Sequence, residues 1–174
     1  MLGGMPDPAT SNLRITIRSY QLADKEACQK LFLEGLIGGR IAPGDPGLDI
    51  DNIPAAYFAG PESHFWVAED ARGEIVGTVG VQHSEPGVGQ IRRLRVRQDS
   101  RRRGVGSSLM ETAVKFCREQ QFLKITLDTF MEREPAIRLF EKFHFNHQRT
   151  RKVGEKELLY FYLDLYQTEH RGRK

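Results

Sequence analysis

The sequence predicts an α/β fold, a mixed sheet with helices packed on it, and three observations predict it. Apolar or alternating runs separated by glycine-containing turns mark strands at 64–70, 74–81 and 90–97 in close succession. Helical periodicity at 104–120, and from Pro135 to about Phe143, is interleaved with strands rather than gathered at one end. Between them, the strand at 90–97 leads through a glycine-bearing turn directly into the first of these helices. The resulting order is β-α-loop-β-β-β-α-β-α-β-β, and no linker divides it.

Taken in order, residues 1–12 are rich in Gly, Pro, Asp and Ser and are expected to form a flexible tail. Leu13-Arg-Ile-Thr-Ile-Arg alternates and predicts a first strand. Asp24 is placed to cap a helix whose apolar positions are Ala27, Cys28, Leu31, Phe32 and Leu33. Residues 34–62 carry many Gly and Pro and predict a long, partly helical loop, of a length often used as a binding wall. Gly73 supplies the positive φ of a tight turn at Ala71–Glu74, and a second turn lies at Glu85–Gly89. The helix at 104–120 gathers Leu109, Met110, Ala113, Val114 and Cys117 on one face. Leu123, Ile125 and Leu127 define the inner face of the next strand. Pro135 suits the first turn of a helix. Two last strands flank Val153-Gly-Glu-Lys, and the basic segment 167–174 reads as a frayed tail beyond a single domain at 13–166.

Composition narrows the function classes. A chain of 174 residues buries about 70% of its unfolded surface and needs neither disulfide nor metal to fold. Cys28 and Cys117 form no CxxC pair, so they are read as buried thiols. No apolar run reaches the roughly 20 residues that span a bilayer. The N-terminal residues do not have the form of a signal peptide, so a cytoplasmic protein, or a nuclear one, is the expectation. The net charge of +3 implies no polyanionic partner, but seven arginines fall between Arg92 and Arg103.

That segment carries the chemistry. A strand ends near Arg97, the chain turns through Arg101-Arg102-Arg103, and a helix begins with Gly104 and Gly106 in its first turn. A helix N-terminus offers free N–H groups and partial positive charge, glycines let a ligand approach the backbone, and arginines add charged donors. Together they make a phosphate-binding turn. The run has neither the third glycine of a dinucleotide fingerprint nor the Lys-Ser/Thr that ends a P-loop.

Arg101-Arg102-Arg103-Gly104-Val105-Gly106 resembles the Arg/Gln-x-x-Gly-x-Gly/Ala motif of the GNAT superfamily of acyl-CoA N-acyltransferases. Downstream, Pro135-Ala-Ile-Arg-Leu-Phe-Glu-Lys-Phe-His-Phe is similar to that family's Ala-x-x-Leu-Tyr-x-x-x-Gly-Phe helix. The element order matches from about residue 13 to 165. The resemblance implies a mixed six- to seven-stranded sheet flanked by about four helices. It implies an acetyl-CoA-dependent N-acetyltransferase acting on a primary amine, small-molecule or peptide, by direct attack in a ternary complex. It carries cofactor contacts onto Leu94, Arg95, Val96, Arg101, Arg102, Arg103, Gly104, Val105, Gly106, Ser107, Arg133 and Phe140. The strand Leu94–Val96 would pair with the pantetheine arm, a backbone N–H near Val96 would face the thioester oxygen, and the fourth and fifth strands would splay. Dimerisation through the C-terminal strands is a habit of the family.

The sequence departs from the family at three points. Phe140 replaces the usual tyrosine acid, Arg133 stands where an asparagine is common, and Arg92 and Arg93 occupy the stretch that often holds a glutamate base. Glu85, His83 and His144 are the substitute bases to weigh, beside a water chain or an acceptor of low pKa such as an α-amino group, and Tyr160 or Tyr162 the substitute acids. Alternation places Arg93, Arg95 and Arg97 on one strand face and Arg92 on the other, which raises an acidic or carboxylate-bearing acceptor as a hypothesis. His144 and His147 do not make a metal site. Two further readings are a catalytically weak acyl-CoA-binding module and a basic nucleic-acid-binding protein. The latter is disfavoured, because no aromatic residues are interleaved with the arginines.

Overall fold

A computed structural model describes residues 14–35 and 44–166. The expected tails, Leu13 and residues 36–43 of the long loop lie outside the described residues. Seven strands form one sheet in the order β1-β2-β3-β4-β5-β7-β6. They are β1 (Thr16–Ser19), β2 (His64–Glu69), β3 (Ile75–Glu85), β4 (Val88–Val96), β5 (Lys124–Phe130), β6 (Asn146–Val153) and β7 (Lys156–Asp164). Every neighbouring pair is antiparallel except β4 and β5. The helices are α1 (Lys25–Glu34), α2 (Leu48–Asp51), α3 (Ile53–Tyr57), α4 (Val105–Glu119) and α5 (Glu134–Lys142).

The period-2 pattern decides the two faces. On β2, Phe65 and Val67 join a cluster with Cys28, Phe32, Ile50, Ile53 and Tyr57, so α1–α3 cover that side. Trp66 and Ala68 turn the other way, into the larger core built on Leu109, Met110, Ala113 and Cys117 of α4 and Phe140 of α5. Both cysteines are buried, as expected of structural thiols. Glycines let the helices close onto β3 from both sides. A Cβ at Gly77 would stand 2.8 Å from Leu109 Cδ1, and one at Gly80 would stand 2.5 Å from Tyr57 Cε1. Among the described residues, no helix is long and apolar enough to cross a membrane.

The loop at 34–62 is partly helical, as expected: α2 and α3 stand in its described part, Asn52 capping α3 through its side chain. Two expectations need correction. Leu123 is 58% exposed, because β5 begins one residue later and Leu123 lies beside the Gly87 turn. Asp24 does occupy the position before α1, but its carboxylate caps nothing there. It accepts from both terminal guanidinium nitrogens of Arg18, Nη1 and Nη2, and from the Gln21 N–H.

Candidate active site

The site begins where two strands stop pairing. β4 and β5 share a parallel ladder only at Val88–Lys124, Gly89–Ile125 and Gln90–Thr126, although both strands run on. Beyond Gln90 they part around a cavity of about 1410 Å³, lined by β4, β5, the turn before α4, and α5. The splay expected of the fourth and fifth strands is therefore present in the pairing pattern.

The exposed edge of β4 has a definite polarity. Along a strand, successive residues turn their N–H and C=O to opposite sides. Arg97 N–H donates to Val76 O, and Thr78 Oγ1 donates to Arg93 O, so odd-numbered residues face β3. Leu94 and Val96 consequently direct their backbone groups into the gap. Their carbonyls are taken by side chains, Leu94 O by Arg95 Nη1 at 3.0 Å and Val96 O by Arg101 Nε at 3.3 Å. Their N–H groups have no strand partner, since the ladder to β5 ends at Gln90.

At one end of the gap lies the start of α4. Arg102 (φ 61°) and Gly104 (φ 79°) both adopt left-handed backbone, which reverses the chain after the Gln98–Ser100 turn. Gly104 is the N-cap and offers no side-chain acceptor, so the first-turn N–H groups face the cavity with Gly104, Val105, Gly106 and Ser107 in its wall. Space beside Gly104 is open, whereas a Cβ at Gly106 would meet Leu139 Cδ2 of α5 at 3.3 Å. Arg101, Arg102, Arg138 and Lys142 also line the cavity, and Lys142 Nζ donates to Ser107 Oγ. The geometry is that of an anion site on a helix N-terminus. Arg103 is exposed and does not line the cavity.

The arginines of β4 do not alternate as expected. The register slips between Thr78 and Gly80, and Arg93 takes φ 57°, the signature of a bulge. Arg92, Arg93 and Arg95 therefore all project to the α1–α2 side: Arg92 to Gln82 and Asp45, Arg93 to Asp45 and Asp49, and Arg95 against Gly35 at the end of α1. Arg93 makes four bonds of 2.6–2.9 Å to the two carboxylates and stacks on Phe32, with Tyr57 donating to Asp49 as well. Arg97 is turned outward, onto Glu74 and Asp99. Arg95 has no such compensation. Among the described residues its Nε is buried without a partner, and burial together with the neighbouring Arg133 and Arg93 charges pushes its guanidinium down to about 9. Burial and Arg101 lower Arg133 too, which spans from α5 to donate to the Gly35 carbonyl.

The substitute catalytic groups fare unequally. His83 and Glu85 pair with Gly89 and Val88 at the closed end of the ladder, away from the cavity, and His83 is held by Glu62 and stacked on Phe122. His144 closes α5 outside the cavity wall, and His147 bonds Thr150. Tyr160 lies under the Arg149 guanidinium on β7, directly opposite Asp128, and Tyr162 under Lys124. Phe140 is a buried wall residue packed on Phe145 and Phe161. Among the described residues, no group of three His, Cys, Asp or Glu side chains could hold a metal ion. Sequence reasoning missed Asp45, Asp49 and Asp128. Nothing local marks them, because their relevance depends on which strand lies opposite.

A splayed parallel pair thus stands beside a glycine-led helix N-terminus, and comparison with known proteins shows the family in which the chain belongs. The sequence model of the GNAT acetyltransferase family matches residues 38–145, and the chain belongs to that family. It is similar to N-acetyltransferase family 8 member 3 of Rattus norvegicus, 32% identical over 112 residues, which cover 62% of this chain and 46% of that protein. The chain spans about half the length of the curated relatives it matches. Its fold is similar to that of a GNAT acetyltransferase from Staphylococcus aureus, with TM-score 0.77, 21% identity, and coverage of 87% and 99% of the two chains. It is also similar to a phosphinothricin acetyltransferase from Sinorhizobium meliloti solved with acetyl-CoA, with TM-score 0.72, 16% identity, and coverage of 87% and 88%.

Proposed function

We propose that the chain transfers an acetyl group from acetyl-CoA to a primary amine by direct attack in a ternary complex. The observation that carries this reading is the orphaned N–H pair of Leu94 and Val96 in the gap between β4 and β5, in line with the uncapped start of α4. The residues fit an acyl-CoA. The first-turn N–H groups of Val105, Gly106 and Ser107, with Arg101, Arg102 and Lys142, would hold the pyrophosphate. The β4 edge would take the pantetheine amides as an added strand, with Arg133 and Phe140 walling the channel. Acetyl-CoA supplies an activated thioester. The N–H of Val96 would stabilise negative charge at its carbonyl oxygen, an effect worth about 2.7–4 kcal/mol for one such donor. A thiolate needs little help to leave, so the phenylalanine at position 140 is compatible with turnover.

The arginine geometry refines the acceptor. Arg93 and Arg97 are neutralised by carboxylates, which removes them from the hypothesis of an acidic acceptor. Among the described residues the Nε of Arg95 has no partner, and an amine that also carries an acidic group would satisfy this arginine.

The test is a melting curve with and without acetyl-CoA, for the wild type and the double variant Gly104→Asp, Gly106→Asp. Ligand at 100 times its dissociation constant stabilises by about 2.7 kcal/mol. The expected result is a rise in the wild type and none in the variant. No rise in the wild type at saturating acetyl-CoA overturns the reading.

A further inference from the structure

We infer that Asp128 is the general base that deprotonates the acceptor amine, an assignment that rests on the acetyltransferase reading. β4 carries no carboxylate in the stretch facing the gap; Asp45, Asp128, Glu132 and Glu155 line the cavity, and of these Asp45 is tied to Arg93 while Asp128 stands on the strand directly across from β4. The register names the residue. The last ladder pair is Gln90–Thr126, and counting two residues on along both strands sets Arg92 and Asp128 on the two lips of the opening. Ile125 and Leu127 point into the α4 core, so Asp128 projects to the opposite side, where Arg92, Arg93 and Asp45 lie. Its carboxylate lines the cavity, and among the described residues it is held by no hydrogen bond or ion pair. An acidic side chain left unpartnered within reach of two arginines is poised for a ligand rather than for the fold.

The surroundings set its proton affinity. Asp128 is exposed on the cavity side, and the protein packed around β5 desolvates its carboxylate enough to raise it above the ordinary range. Among the facing groups, Arg92 and Arg93 from β4 lower it and Asp45 from the segment before α2 raises it, while Tyr160 from β7 stands opposite. A raised carboxylate is a better proton acceptor at neutral pH.

The step balances as follows. The Asp128 carboxylate takes one proton from the bound ammonium, leaving a neutral amine with a free lone pair. That lone pair forms the N–C bond to the thioester carbonyl carbon, and the C–S bond breaks with its electron pair on sulfur. The second amine proton passes to the thiolate through water, giving amide and free thiol, and Asp128 returns its proton to solvent.

Release of CoA thiol is the readout. Ethanolamine, spermidine, the L-amino acids and a short peptide with a free N-terminus serve as acceptors, and hydroxylamine, unprotonated at neutral pH, serves as the acceptor that needs no base. Asp128→Asn is expected to lose about 10²-fold or more in kcat with the amines and to lose the acidic limb of the pH profile. It should keep its rate with hydroxylamine and its thermal shift with acetyl-CoA. Equal rates and pH profiles for wild type and Asp128→Asn overturn the assignment while leaving the acetyltransferase reading intact. No thiol release by the wild type with any acceptor overturns both. Loss of the acetyl-CoA shift in the variant reassigns Asp128 to the fold.

Discussion

Arg93 and Arg95 stand two positions apart on β4 and project to the same side, yet four bonds join Arg93 to the carboxylates of Asp45 and Asp49, while the Nε of Arg95 is buried with no partner among the described residues. The bulge at Arg93 makes this possible by turning its side chain onto α2. Left-handed backbone at a non-glycine residue costs roughly 1–3 kcal/mol, which the ion-pair network offsets. One arginine ties the loop to the sheet, and the other leaves positive charge in the cavity.

Arg93→Ala is expected to destabilise the protein by about 3–5 kcal/mol, because it leaves the buried Asp49 carboxylate without its cation. Urea unfolding at neutral pH checks this. A loss under about 1 kcal/mol would show that the network contributes little.

Arg95→Leu should behave in the opposite way. Removing a buried cation that has no ion-pair partner among the described residues is expected to leave the melting temperature unchanged or raised. If an acidic group on the acceptor binds there, the same variant raises the acceptor KM about tenfold or more with little change in kcat, as removal of uniform binding does. Initial rates at varied acceptor concentration separate the two parameters.

Acid should unfold the protein through a small set of carboxylates. Hydrogen bonds from Arg93 hold Asp45 below the usual carboxylate range; at Asp49 burial pushes the other way, but the bonds from Arg93 and Tyr57 and the charges of Arg93 and Arg92 together hold it below that range too. Arg18 does so for Asp24. Each therefore binds its proton more readily in the unfolded chain, so its contribution is complete above the unfolded value near 3.9 and is lost as pH falls through the lower folded value. Stability measured from pH 7 downward should hold to about pH 5 and then fall. In Asp49→Asn that fall should be shallower.

Gly80→Ala is expected to cost about 1–3 kcal/mol by overpacking, since its Cβ would press on Tyr57 and Phe65. Thermal melts of Gly80→Ala and of Gly77→Ala, which presses on Leu109 from the other face, would show whether α3 or α4 yields more easily.

How much was legible before the fold was known follows from the range of each interaction. The hairpin at Gly73, the helix from Val105 and the alternation that splits Phe65 from Trp66 are local properties, and a period or a required φ announces each of them. The phosphate-binding turn was legible for the same reason, since Arg101 to Ser107 is one continuous segment. Arg92 and Arg93 were placed on opposite faces because alternation assumes an unbroken ladder, and a bulge arises only from the pairing with β3. Asp128 was invisible because Thr126 and Asp128 look like ordinary outward residues of a strand, and the neighbour that gives Asp128 its setting is 36 positions away in sequence, at Arg92. The sequence alone determined the order of elements, their inner faces and the anion-binding turn, all governed by contacts within a few residues. Only the tertiary structure decided which charges are neutralised and which stand free in the cavity, because electrostatic pairing depends on distance in space.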